Sequence, residues 1–162
     1  MRTPSVMTAA LLGASMCAVA PGVTAAESDQ QRIIRAGDQP SSEGPSISFT
    51  GRVRVDPLFP VDESVNASGA YVTFEPGARS AWHSHPAGQR LIVVAGVGLT
   101  QEWGKPVQEI RPGDVVICPA GVKHWHGAAS TTGMTHLAVS GVLDGNTVEW
   151  MEKVSDDQYN AR

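Results

Sequence analysis

All five histidines of this chain lie between His83 and His136, and four of them form two His-x-His pairs, His83-Ser84-His85 and His124-Trp125-His126. Imidazole is the commonest protein ligand for transition metals and the side chain that titrates nearest neutral pH. On an extended strand, residues two apart point to the same face. Two such strands facing each other would bring four ring nitrogens into one small volume. That arrangement suits a metal centre. A lone histidine is more often a core residue satisfied by hydrogen bonds, but two pairs at this spacing favour an ion.

The elements that must position these residues are short. β-branched or apolar runs are broken repeatedly by Gly and Pro, and strands are expected over 47–55, 70–74, 80–85, 89–94, 98–103, 107–110, 114–117, 123–127, 134–143 and 147–151. Many short strands at even spacing indicate a sandwich or barrel. Only 155–159 suggests a helical turn. Alternation puts Ala81, His83 and His85 on one face, Gln89, Leu91 and Val93 on another, and His124 with His126 on a third. Trp82 and Trp125 then point away from the histidines, into packing. Residues 128–133 read as a loop. If the strands on either side of it pair antiparallel about Thr131, His126 lies directly opposite His136, with Cβ atoms about 5 Å apart. Two uncommitted imidazoles beside a metal suit general acid–base work.

The chain has 162 residues and a formal net charge of −4. Arg2, an apolar stretch over 6–20 and small residues at Val23-Thr24-Ala25-Ala26 read as a secretory signal peptide over 1–26, which implies a secreted or periplasmic, bacterial protein. Its removal takes one arginine and no acid, so the mature chain becomes more negative. That balance disfavours nucleic acid and anionic membranes as partners. Cys118 is the one cysteine left after cleavage, so no intramolecular disulfide can form. Residues 27–46 are polar and read as a solvated arm, leaving 47–162 as one domain. An arm able to exchange between subunits, together with exposed strand edges, favours a homo-dimer or homo-tetramer.

The stretches G-A-R-S-A-W-H-S-H-P-A-G-Q-R-L-I-V-V-A-G from Gly77 and G-D-V-V-I-C-P-A-G-V-K-H-W-H-G-A from Gly113 resemble the two motifs of the cupin superfamily. Gly77, His83, His85 and Gly96 match the first; Gly113, Pro119, Gly121 and His124 match the second. Gln89 stands where the motif has glutamate, and Ala128 where it has asparagine. The resemblance implies an all-β, single-domain cupin, a double-stranded β-helix or jelly-roll barrel with a short C-terminal helical turn. It also implies a divalent ion on His83, His85, Gln89 and His124. Three neutral imidazoles and a neutral amide leave the ion its full charge, whereas a glutamate would cancel one unit. The site should therefore act as a stronger Lewis acid.

From about Phe49 to Tyr159 the chain further resembles the bacterial cupin-type hydroxynitrile lyases. That likeness is carried by FTGRVRVDPLF, VTFEPGARSAWHSHPAGQRLIV, EIRPGDVV, KHWHGAA, MTHLAV and VEWMEKVSDDQY. It implies manganese as cofactor, although nitrogen-rich ligation also fits Fe, Co, Ni or Zn. It implies a small-molecule substrate and reversible cleavage of an (R)-cyanohydrin, such as mandelonitrile, to an aldehyde and hydrogen cyanide. His126 and His136 become the acid–base pair, His126 near the hydroxyl oxygen and His136 near the cyanide, or the reverse. Ala70, Val72, Phe74, Leu91 and Ala138 are expected to line an apolar substrate pocket. The competing readings are a cupin dioxygenase acting on a small phenolic or enediol substrate, and a non-catalytic periplasmic cupin that binds a metal or small molecule.

Overall fold

The computed structural model describes residues 31–62 and 64–161. The expected signal peptide over 1–26 lies outside them. Every element below belongs to one compact unit, Ile33–Arg162.

Its strands are all antiparallel and form two sheets. The first contains β1 (Ser42–Glu43), β3 (Val53–Phe59), β4 (Ala67–Phe74), β12 (Met134–Gly141), β7 (Gln89–Gly96) and β10 (Val115–Cys118), in that spatial order. The second runs β13 (Glu149–Trp150), β6 (His83–Ser84), β11 (His124–Ala128), β5 (Arg79–Ser80) and β2 (Phe49–Thr50). Strand β8 (Gly98–Glu102) also pairs with β11, and β9 (Gln108–Ile110) with β8. The sole helix among the described residues, α1 (Asp156–Asn160), starts at a capping box made by Ser155 and Gln158.

Period-two alternation explains where the core sits. Val72 and Phe74 on β4, Leu91 and Val93 on β7, and Met134 and Ala138 on β12 all point inward to one buried cluster. Trp82 and Trp125 point the other way, as alternation requires. They pack in a second cluster with Leu99, Val154 and Tyr159 beneath α1. Arg79 reaches from β5 to the Val154 carbonyl and to Asp156, which ties the helix to the sheet.

Four local departures from the expected strands have physical causes. The run 47–55 is not one strand, because Gly51 turns at φ 77° and passes the chain from the second sheet to the first; a Cβ there would lie 2.9 Å from Ala78 Cα. The run 80–85 is split because its partner changes: β5 pairs with β2, whereas β6 pairs with β13. The polar stretch 27–46 is not wholly an arm, since Ser42–Glu43 pairs with Val55 and Arg54. Finally, the β7–β12 ladder slips between Thr135 and His136, so that Thr135 faces Ala95 while His136 faces Val93. The extra residue is Val94, so the irregularity lies on β7, while β12 keeps unbroken register with β4 through His136 and Val72.

Strand β11 carries two of the five histidines, and its seating on β5 needs a glycine. A Cβ on Gly127 would stand 2.5 Å from the Ala78 carbonyl oxygen and 2.7 Å from Arg79 Cα. Gly127→Ala should therefore destabilise the fold by about 1–3 kcal/mol, the usual range for overpacking. Thermal unfolding measures this, and an unchanged midpoint would contradict the close approach.

Candidate metal centre

His83 and His124 sit opposite each other in the β6–β11 pairing, with ring centroids 4.3 Å apart. His85 follows β6, just before the Pro86-Ala87-Gly88 turn. One ring nitrogen from each of the three lies within 4.8 Å of the others, close to the span of two metal–nitrogen bonds of about 2.1 Å. All three residues are buried, with 1–3% of their surface exposed.

Their orientation is set by backbone carbonyls. His83 Nδ1 lies 2.9 Å from the Ala81 oxygen, His85 Nδ1 2.6 Å from the Thr147 oxygen, and His124 Nδ1 3.0 Å from the Val122 oxygen. A carbonyl can only accept, so each Nδ1 must carry the proton and donate it. Each Nε2 is then an unprotonated lone pair. Gln89 enters from β7 in the facing sheet and lines the same cavity as His83 and His85. Its amide nitrogen donates to Ser140 Oγ at 3.1 Å.

This donor set fits a cation. His85 Nε2, His124 Nε2 and Gln89 Oε1 are buried without a hydrogen-bond partner. Buried acceptors left unpaired cost about 1–3 kcal/mol each, and a divalent ion satisfies them together. The set contains no carboxylate.

His126 and His136 form a second pair beside the trio, the His126 ring centroid 5.1 Å from that of His83 and 5.9 Å from that of His124. Their strands do not pair: β11 bonds to β5, β6 and β8, while β12 lies between β4 and β7 in the other sheet. The hairpin about Thr131 is therefore incorrect. The two rings meet all the same, across the sandwich, with His136 Nε2 3.1 Å from His126 Nδ1. Phe74 packs against both, its ring centroid 5.6 Å from each.

Burial keeps the whole group neutral. It is the first cause of the depressed pKa at each of the five histidines: down to about 4 at His124 and about 3 at His136, lowered at His85, and far below the ordinary value at His83 and His126. Charge on His124 further disfavours the imidazolium of His83, and charge on His136 that of His126. Cys118 takes no part in this set; burial pushes its thiol up to about 11.

The centre opens on a cavity of about 240 Å³. His83, His85, Gln89, His126 and His136 form its polar side. Of the residues expected to line a pocket, Val72 and Ala138 do so. Phe74 and Leu91 are core residues wholly shielded from solvent, and the half-buried Ala70 is not among the lining residues. The rest of the apolar wall comes from Phe49, Val55, Val148 and Trp150, with Thr147 and Ser140 at its polar margin. Sequence alternation does not indicate these. Trp150 had a signal, as an aromatic in the charged stretch VEWMEKV; it pairs with His83 across β6–β13. Thr147 had none, because it acts through its carbonyl. A larger groove of about 320 Å³ beside β1, β3 and β4 contains none of the candidate site residues.

A family model described as a cupin domain matches residues 70–140. A curated relative from Granulicella tundricola, named (R)-mandelonitrile lyase, is 59% identical over 127 residues, which cover 78% of this chain and 97% of the relative. The chain belongs to the cupin family. Among solved structures, a cupin-like protein from Thermotoga maritima is 42% identical with a TM-score of 0.70, covering 80% of this cupin and 95% of that chain. A polyketide cyclase from Streptomyces resistomycificus, 15% identical with a TM-score of 0.61 over 80% of this chain and 91% of its own, shares the fold alone.

Five buried neutral histidines make the metal-free fold sensitive to acid. The unfolded chain binds protons near pH 6.5 while the folded chain does not, so this stability is complete above that pH and falls as pH drops. The chelator-treated cupin should lose about 1.4 kcal/mol per pH unit for each such histidine. His136→Leu should make the decline shallower. Chemical denaturation between pH 7 and pH 5 reads the slope, and a flat profile would contradict the neutral assignment.

Proposed function

We propose that this cupin is a metal-dependent lyase that reversibly cleaves (R)-cyanohydrins such as mandelonitrile to an aldehyde and hydrogen cyanide. The observation that carries the reading is the division of the buried cluster. A carboxylate-free set of donors and, beside it, a hydrogen-bonded His126–His136 pair face one apolar cavity. The 59% identity to a protein named (R)-mandelonitrile lyase supports it.

A bound divalent ion, manganese on this reading, supplies Lewis-acid polarisation of a hydroxyl oxygen. His83, His85, His124 and Gln89 would hold it without lowering its charge. The remaining chemistry is movement of one proton from the hydroxyl to the departing cyanide as the C–CN bond breaks and the C=O bond forms. His126 takes the hydroxyl proton and His136 delivers one to cyanide. Their 3.1 Å contact lets the pair exchange a proton without water. His136 Nδ1 is the atom of the pair that is buried and unpaired, which suits it to the cyano nitrogen. Phe49 and Trp150, edge to face at 5.4 Å, offer an aromatic wall to an aryl group. The proposal extends to an exported protein that works as a homo-dimer or homo-tetramer, which rests on the sequence alone.

His126→Ala and His136→Ala should each lower kcat for mandelonitrile cleavage by about 10²–10⁴-fold, the usual worth of a positioned acid or base. Full activity in either variant would remove that residue from the mechanism. Assay under nitrogen separates this chemistry from an oxygenase, which would need dioxygen. Gln89→Glu should bind manganese more tightly and cleave more slowly, because the carboxylate cancels part of the ion's charge. Faster cleavage would contradict the role given to the neutral amide.

A further inference from the structure

Gln89 differs from the three histidines in how its donor atom is chosen. An imidazole held through Nδ1 can present only Nε2. A carboxamide can present either its oxygen or its NH₂, and only the oxygen is a ligand for a cation. Some group must therefore occupy the NH₂ end. Gln89 and Ser140 are directly opposed in the β7–β12 register, and the amide donates to Ser140 Oγ at 3.1 Å. Oε1 is then the end left buried and unpaired. Ser140 itself borders the cavity. The other side chain set against the Gln89 amide is His85, itself a member of the histidine cluster.

We propose that Ser140 is a positioning residue that holds the Gln89 amide with Oε1 turned toward His83, His85 and His124. It touches neither the ion nor the reacting atoms. Its hydroxyl accepts the N–H that would otherwise be buried without a partner, and so fixes which end of Gln89 faces the cluster. Removing it frees the amide to rotate, and the cluster loses one oxygen donor for part of the time. A partner of this kind typically contributes 10–100-fold to metal affinity. This inference rests on Gln89 being a ligand, so its test must separate the two.

The test is titration of chelator-treated protein with Mn²⁺, read as free metal by electron paramagnetic resonance, with no substrate present. Ser140→Ala should weaken binding about tenfold or more. Ser140→Thr, which keeps the hydroxyl, should restore it. In a Gln89→Glu background, Ser140→Ala should have no further effect, because both oxygens of a carboxylate are donors and there is no orientation to lose. Equal weakening by Ser140→Ala in both backgrounds would overturn the proposal, since a packing role would not depend on the residue at 89. Wild-type affinity in Ser140→Ala, with weakened binding in Gln89→Ala, would also overturn it while leaving Gln89 a ligand. Unchanged affinity in Gln89→Ala would overturn both.

Discussion

Three hydrogen bonds from imidazole to backbone carbonyl determine what this site can be. Ala81, Val122 and Thr147 each accept from the Nδ1 of one histidine. Without those carbonyls the rings could turn, and either nitrogen could carry the proton. With them, three Nε2 lone pairs face one another, and those of His85 and His124 are buried without a hydrogen-bond partner. A cation would satisfy those unpaired acceptors. Two of the carbonyls lie two residues before their own histidine, so short local geometry supplies them. The third comes from Thr147, in the segment leading to β13, and joins the site to the C-terminal part of the domain.

Burial turns the same five side chains to different uses. In water a cluster of imidazoles would be partly protonated and self-repelling. Between two sheets the desolvation cost keeps each ring neutral. Neutral rings can bind a metal ion, and a neutral pair in contact can pass a proton in either direction. The division follows from which sheet each residue stands on. The trio is confined to β6, its following turn and β11. Gln89 and His136 come across from β7 and β12, so closing the sandwich brings Gln89 to the cavity of His83 and His85 and pairs His126 with His136.

Much of this was legible in the sequence, because period-two alternation is a strong signal. It put His83 with His85 and His124 with His126 on common faces and sent Trp82 and Trp125 into packing, while the grouping of His83, His85, Gln89 and His124 came from the resemblance to the cupin motifs. Alternation says which face a residue takes but not which strand lies alongside. The meeting of His126 and His136 was anticipated from a hairpin that does not exist; the rings meet across the sandwich instead. Ala70, Phe74 and Leu91 were expected in the pocket alongside the lyase resemblance. An inward residue lines the cavity only if nothing packs over it, and Phe74 and Leu91 are covered. Thr147 and Ser140 were invisible for a related reason: their roles depend on what stands opposite them in space.

The central claim is that three histidines and a glutamine hold the ion while His126 and His136 do not. It is tested most directly by counting the Mn²⁺ bound per chain in the His126→Asn/His136→Asn double variant. The account predicts one ion per chain, as in the unaltered protein. Loss of that ion from a variant that still folds would contradict it.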